Sequence, residues 1–188
     1  MRIVSLLFAC LLWNMTFGQK AVSKEISTLL TEGKPLQEVS LIHFVSNEVT
    51  NRSIPLEGLT KGTIVSIDEV AIEKLLNGNS DFIQLGLPLS ERQNLKLNLV
   101  RHEIFAEDFA LYTSSEPGIP FNYTPGVHYK GVVEGDPSSL VAVSVFNNEV
   151  MALISTGHGN MILGRIDNDR ESRHILYAEN DLDKTSGF

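Results

Sequence analysis

Residues 127–166 read VHYKGVVEGDPSSLVAVSVFNNEVMALISTGHGNMILGRI, and the fold of the chain turns on how this stretch is parsed. Val127, Tyr129, Gly131 and Val133 alternate with His128, Lys130, Val132 and Glu134, the period of two expected of a half-buried strand. Gly135-Asp136-Pro137-Ser138 predicts the turn that ends it, because Asp caps a turn through its side chain and Pro holds φ near the value of a type I turn. Leu140 to Phe146 is apolar except for Ser144, which predicts a central strand covered on both faces. Asn147-Asn148 tolerate positive φ and predict a two-residue hairpin turn. Beyond it Val150, Ala152 and Ile154 oppose Met151 and Leu153, Gly157-His158-Gly159-Asn160 turns the chain into Met161 to Ile166, and His174 to Ala178 adds a fifth strand. Sequential hairpins pair neighbours, so residues 127–178 predict an antiparallel meander.

Upstream, Ser23 is placed to N-cap a short helix to Thr31 carrying Ile26, Leu29 and Leu30 on one face. Glu38 to Ser46 predicts one strand, Asn47 to Gly58 a loop, and Thr63 to Ile67 another strand. Asp68 is placed to cap a helix from Glu69 to Asn77, which Gly78 ends. Phe82 to Leu89 and Asn94 to Ile104 form a hairpin, with Leu95, Leu97 and Leu99 alternating in the second strand. Residues 114–126, SSEPGIPFNYTPG, hold three prolines and two glycines and predict a surface connector that serves as a hinge. The tail after Glu179 is expected to fray. The fold class is mainly β (α+β): one sandwich-like antiparallel domain over 19–188 with one or two short helices.

At the N-terminus Met1-Arg2, the apolar run Ile3 to Trp13, and Gly18 before Gln19 have the parts of a secretory signal peptide over 1–18. The run is too short to span a bilayer as a mature helix. Cys10 invites a lipoprotein reading, which fails because cutting there leaves too short an apolar core. Cleavage between Gly18 and Gln19 would remove the only cysteine, so the exported domain has no internal disulfide and depends on its core. A domain of that size buries about 70% of its unfolded surface, which suffices. Its formal charge is 14 basic minus 23 acidic residues, or −9, since only Arg2 leaves. An acidic chain without a basic cluster argues against nucleic acid and against anionic membrane surfaces once the signal is removed.

Chemistry is sparse. His102-Glu103 begins like a zinc-protease helix, but position 106 is Ala and the pattern is that of a strand. His43, His128, His158 and His174 lie on separate strands or turns, without metal-ligand spacing. Glu134 and Asp136 sit at a turn where backbone reasons favour Asp. Gly131-x-x-x-Gly135 lacks the Lys and Ser/Thr of a phosphate loop, and no serine lies in a Gly-x-Ser-x-Gly elbow. The reading is therefore no catalytic residue, no cofactor and no metal site.

Tyr129-Lys130-Gly131, Val133 through Ser139 with its Gly135-Asp136-Pro137 turn, Val143-Ser144-Val145-Phe146, Gly159-Asn160 and His174-Ile175-Leu176-Tyr177 resemble the propeptide of adamalysin/reprolysin-type zinc metalloproteases, in the variant of the secreted bacterial members. The resemblance covers about 127–178, and Tyr129, Gly131, Gly135, Asp136, Pro137, Gly159 and Asn160 are turn and strand residues that mark a fold before an activity. It implies a secreted or periplasmic, non-catalytic pro-region that assists folding of a zinc metalloprotease catalytic domain, its partner, and holds it latent. Animal relatives use a late propeptide cysteine to occupy the catalytic zinc, and none follows Gly18 here, so latency would be steric or use another ligand. Phe121 and Tyr123 are the expected protein contacts. The rival reading is a freestanding secreted β-sandwich binding or adhesion module.

Overall fold

The structure is a computed structural model that describes residues 17–47, 58–121, 123 and 125–182. In chain order its elements are α1 (Phe17–Thr31), β1 (Gln37–Val39), β2 (Ile42–Ser46), β3 (Thr63–Ile67), α2 (Glu69–Asn77), β4 (Phe82–Pro88), β5 (Asn94–Arg101), β6 (Tyr112–Thr113), β7 (Glu116–Pro120), β8 (Val127–Val133), β9 (Asp136–Phe146), β10 (Glu149–Thr156), β11 (Gly159–Arg165) and β12 (His174–Ala178), then a 3-10 turn at Glu179–Asp181. Residues 1–16 of the candidate signal segment, with Cys10, most of the 47–58 loop and the last six residues lie outside the described residues.

The meander forms as its alternation requires. β8 through β12 pair antiparallel in sequence order, and Val127, Tyr129, Val141, Val143, Val145, Val150, Ala152, Ile154, Leu163 and Leu176 turn inward. Each Val, Leu or Ile among them contributes about 1.5–3 kcal/mol when fully withdrawn from water. Around this meander the sheet runs β1-β4-β5-β8-β9-β10-β11-β12-β3-β2. All its pairings are antiparallel except β1 with β4. Only Ser40 and Leu41 separate β1 from β2, yet these strands occupy opposite ends of that order, so the sheet curls until its edges face each other. Leu41, fully buried, bridges the two ends, and its carbonyl accepts the Asp68 N–H. The single strand expected over Glu38 to Ser46 is thus two strands: Leu41 and Ile42 are both buried, and consecutive inward residues break the period of two.

Two segments cover parts of the outer face. Val22, Ile26 and Leu29 of α1 lie on Phe82, Val100 and Val132, and Lys130 Nζ meets Glu25 at 3.1 Å. Leu30, expected on that face, is exposed because the buried stripe follows i, i+4, i+7. α1 begins at Phe17 rather than at a Ser23 cap, and Gly18 and Gln19 lie within it. At the far side, Leu59 joins Ile64, Ile166, Ile175 and Tyr177. Between these covers the outer face is open at Ala142, Met151 and Leu153, which are exposed, while Leu140, Ser144 and Phe146 are half-buried there and α1 crosses β9 as well as β8. Leu140 to Phe146 is therefore central in the sheet but fully buried on one face only, a correction that apolar composition alone could not supply.

Two turns also differ in kind. The β8–β9 reversal is the pair Glu134-Gly135, with Gly135 at φ +79, a conformation glycine adopts without strain; β9 has already begun at Asp136. Val133 pairs with Asp136 and Gly131 with Val141, so the four residues Pro137 to Leu140 stand against Val132 alone in an enlarged bulge. Buried Ser139 closes it: its hydroxyl accepts from Val133 N at 2.8 Å and donates to Asp136 O at 2.6 Å. Asn147-Asn148 form the expected two-residue turn, but without positive φ. α2 has its Asp68 cap, whose Oδ1 accepts from Val70 N and Ala71 N, while Gly78 at φ −95 ends it in extended backbone.

Candidate protein-docking site

β5 and β8 are antiparallel neighbours, with Arg101 opposite Tyr129 and His102 N donating to His128 O at 2.8 Å. A few residues would join them. The chain instead runs through residues 102–126, which leave the sheet as an arm. The 114–126 segment, expected to be a surface connector, contains β7, which pairs with β6 across the Ser114-Ser115 turn. Pro117 and Pro120 are tolerated because this two-stranded ribbon is all edge. Phe121 N extends the ribbon by donating to Leu111 O at 2.7 Å.

Stacked rings root the arm. Phe105 lies 4.5 Å from Phe109 between centroids, and Tyr123 meets both edge-on at 6.1 and 6.5 Å. Phe105 in turn packs edge-on against His128, which packs against Phe146 of β9. Such pairs contribute about 0.5–1.5 kcal/mol each beyond burial. His128 Nδ1 is 2.9 Å from Ser144 Oγ, whereas Nε2 is buried without a partner. Burial pushes the His128 pKa below its ordinary 6.5, a shift that Glu103 opposes and His102 reinforces.

Phe105, Phe109, Leu111, Phe121 and Tyr123 line a cleft of about 300 Å³. Tyr123 is 38% exposed and belongs to the root, whereas Phe121, at 53%, and Ile119, at 63%, face solvent. The two candidate contact residues therefore divide: Tyr123 fixes the arm and Phe121 is presented by it. Ile104, Phe109, Leu111 and Tyr112 are exposed on the same arm, a concentration of apolar surface found nowhere else among the described residues. Phe105, Phe109 and Ile119 were legible as apolar letters, but only the return to β8 shows that no core is there to receive them.

The residues that carry the resemblance at 129–160 lie in the sheet and its turns. Tyr129 is buried and donates its hydroxyl to Ser80 O at 3.0 Å; burial pushes its pKa up to about 12. Gly131 lets β8 approach β5 so closely that a Cβ would strike the Asn98 carbonyl. Asp136 accepts from the Ser138 N–H and hydroxyl, which hold its carboxyl below the usual range. Gly159 opens β11 and Asn160 Nδ2 donates to Glu179 Oε2 at 2.9 Å. These residues thus serve turns, strand spacing, the bulge or, for Tyr129 and Asn160, side-chain ties to neighbouring segments.

His102 and Glu103 are exposed, with Glu103 paired to Arg101 at 3.1 Å. Of the other histidines, His43 and His158 are exposed, while His174 is enclosed, accepting from Val150 N at Nε2 and meeting Ser172 O at Nδ1. Among the described residues no group of three or more His, Cys, Asp or Glu is placed to hold a metal ion. No helix among them is long and apolar enough to cross a membrane. No family model matches the chain, and no curated protein matches it.

Proposed function

We propose that the chain is the non-catalytic pro-region of a secreted zinc metalloprotease, assisting the folding of a catalytic domain and covering it until processing. The observation that carries the reading is the arm at 102–126: a rooted ribbon that holds Ile119 and Phe121 in solvent has the form of a contact element. The motif at Tyr129 to Tyr177 supports it, because its letters occupy the positions that build the supporting sheet. Residues 19–188 contain no cysteine, so the contact this stretch makes rests on its surface and not on a thiolate of its own at the zinc.

Two measurements test this. The reading frame beyond Phe188 is expected to contain His-Glu-x-x-His-x-x-Gly-x-x-His. The purified domain added in trans is expected to slow that protease, with or without thiol-blocking reagents. Absence of inhibition at micromolar concentration ends the latency claim. The same arm suits a freestanding binding module, and that reading takes over if no protease follows.

A further inference from the structure

We infer that the arm is an amphipathic docking element for a protein surface of one kind: an apolar groove rimmed by Lys and Arg. The inference does not require the pro-region reading, although it gives that reading the chemistry of its contact.

The charge on the arm makes the choice. Residues 102–126 contain Glu103, Glu107, Asp108 and Glu116 and no Lys or Arg. Glu103 is taken by Arg101; among the described residues no ion pair engages the other three. Exposed carboxylates thus share the arm with the exposed side chains of Phe109, Tyr112, Ile119 and Phe121, Asp108 directly preceding Phe109 and Glu116 opening the strand that carries Ile119. Aromatic anchors and uncompensated charge are the two parts of a protein interface that give affinity and steering. A cationic rim on the partner neutralises the three acids and an apolar floor receives the rings. An anionic membrane would take the same rings but repel the acids.

The root makes the element effective. Phe105, Phe109 and Tyr123 tie the arm to His128 and so to the sheet, and a contact surface held in place before binding loses less entropy on association. The ribbon β6–β7 presents its side chains from a paired backbone instead of a free loop.

Two synthetic amphipathic peptides of equal length and leucine content, one Leu/Lys and one Leu/Glu, serve as probes for fluorescence anisotropy with the purified chain. Phosphatidylserine vesicles form a third arm of the experiment. Saturable binding of the Leu/Lys peptide alone is expected, weakening with added salt. The Ile119→Ser/Phe121→Ser variant should lose about tenfold in affinity, the loss expected when about 1.4 kcal/mol of anchor contact is removed. Glu107→Lys/Asp108→Lys should lose at least as much, while Glu38→Lys/Glu73→Lys, a reversal on exposed sites away from the arm, should leave affinity unchanged. All four arm side chains are exposed, so an unchanged Tm confirms that folding is intact. Equal binding of both peptides, equal losses in the arm and control variants, or preference for vesicles over the basic peptide overturns the inference. A failure to inhibit the protease in trans leaves this result standing, so the two ideas fall separately.

Discussion

The meander β8–β12 and the arm 102–126 are both rich in apolar residues, and they spend them in opposite ways. In the meander, alternate side chains enter one continuous core, and Val141, Val143, Val145, Val150 and Ile154 are almost wholly withdrawn from water. In the arm no described side chain from Glu103 to Tyr123 is fully buried, and the rings pack on one another above the sheet. Apolar letters specify a core only when a second layer lies opposite to receive them. Where the chain provides none, the same letters make a surface, and a surface costs solubility unless it is used.

The largest expected effect tests that contrast inside one strand. Val143 faces the core at 1% exposure, and its neighbour Ala142 faces solvent. Val143→Asp places an unpaired charge in an apolar interior and is expected to unfold the domain, a loss beyond about 4 kcal/mol, while Ala142→Asp stays within about 1 kcal/mol. Denaturant midpoints decide: similar losses for both would mean that the outer face of β9 is covered.

Next in size is the bulge. Ser139→Ala keeps the volume nearly unchanged but leaves the Val133 N–H buried without an acceptor, and is expected to cost about 1–3 kcal/mol. Ser138→Ala, on an exposed residue two positions from Asp136, should cost much less. If the two variants melt alike, Ser139 is not what closes the bulge.

A smaller effect lies in acid. Burial lowers the His174 pKa from 6.5, with the Ser172 carbonyl opposing and Arg165 reinforcing, and burial likewise lowers His128. The unfolded chain then binds protons in a range where the folded chain does not. Stability is full above 6.5 and falls with pH from there toward the lowered native values. A plot of Tm against pH should slope downward below 6.5, and His174→Gln should flatten part of that slope. A profile flat down to the carboxylate range would mean that neither ring is kept neutral by the fold. Below it, Asp169, held at about 2 chiefly by its hydrogen bonds to Arg173, adds stability that is full above its ordinary 3.8 and is lost as pH falls from there to about 2.

Much of this fold was legible in the letters, and the failures have physical causes. Period-two alternation located β8 and β10, apolar segments between turn signals located the other strands of the meander, and Asp68 announced α2 because a cap is a local bond. The splitting of residues 37–46 across both edges was hidden, since it depends on closure of a ten-stranded sheet, although the adjacent Leu41-Ile42 pair carried a trace of it. Pro137 was misread as the turn because its fixed φ suits a bulge as well as a turn. The site was half legible. Phe121 and Tyr123 stood out as aromatics in a proline-rich segment, but their different roles come from Phe105 and Phe109, which lie far enough back in sequence that no local pattern joins them.

The smallest global effect separates those two roles. Tyr123→Ala removes a ring that touches Phe105 and Phe109, and is expected to loosen the arm without unfolding the sheet, because the root lies above the core and contributes little to it. Hydrogen exchange should rise at the Phe109 and Phe121 amides, which donate to Ala106 and Leu111, while the β8–β10 amides keep their protection. Phe121→Ala should leave both sets of amides unchanged and alter stability by no more than about 0.5 kcal/mol, as at other surface positions. Docking should respond in the other order. Phe121→Ala removes an anchor outright, whereas Tyr123→Ala leaves the anchors in place and only makes them costlier to order. If Phe121→Ala instead raised exchange along the whole ribbon, Phe121 would belong to the root, and the division between the ring that holds and the ring that binds would fail.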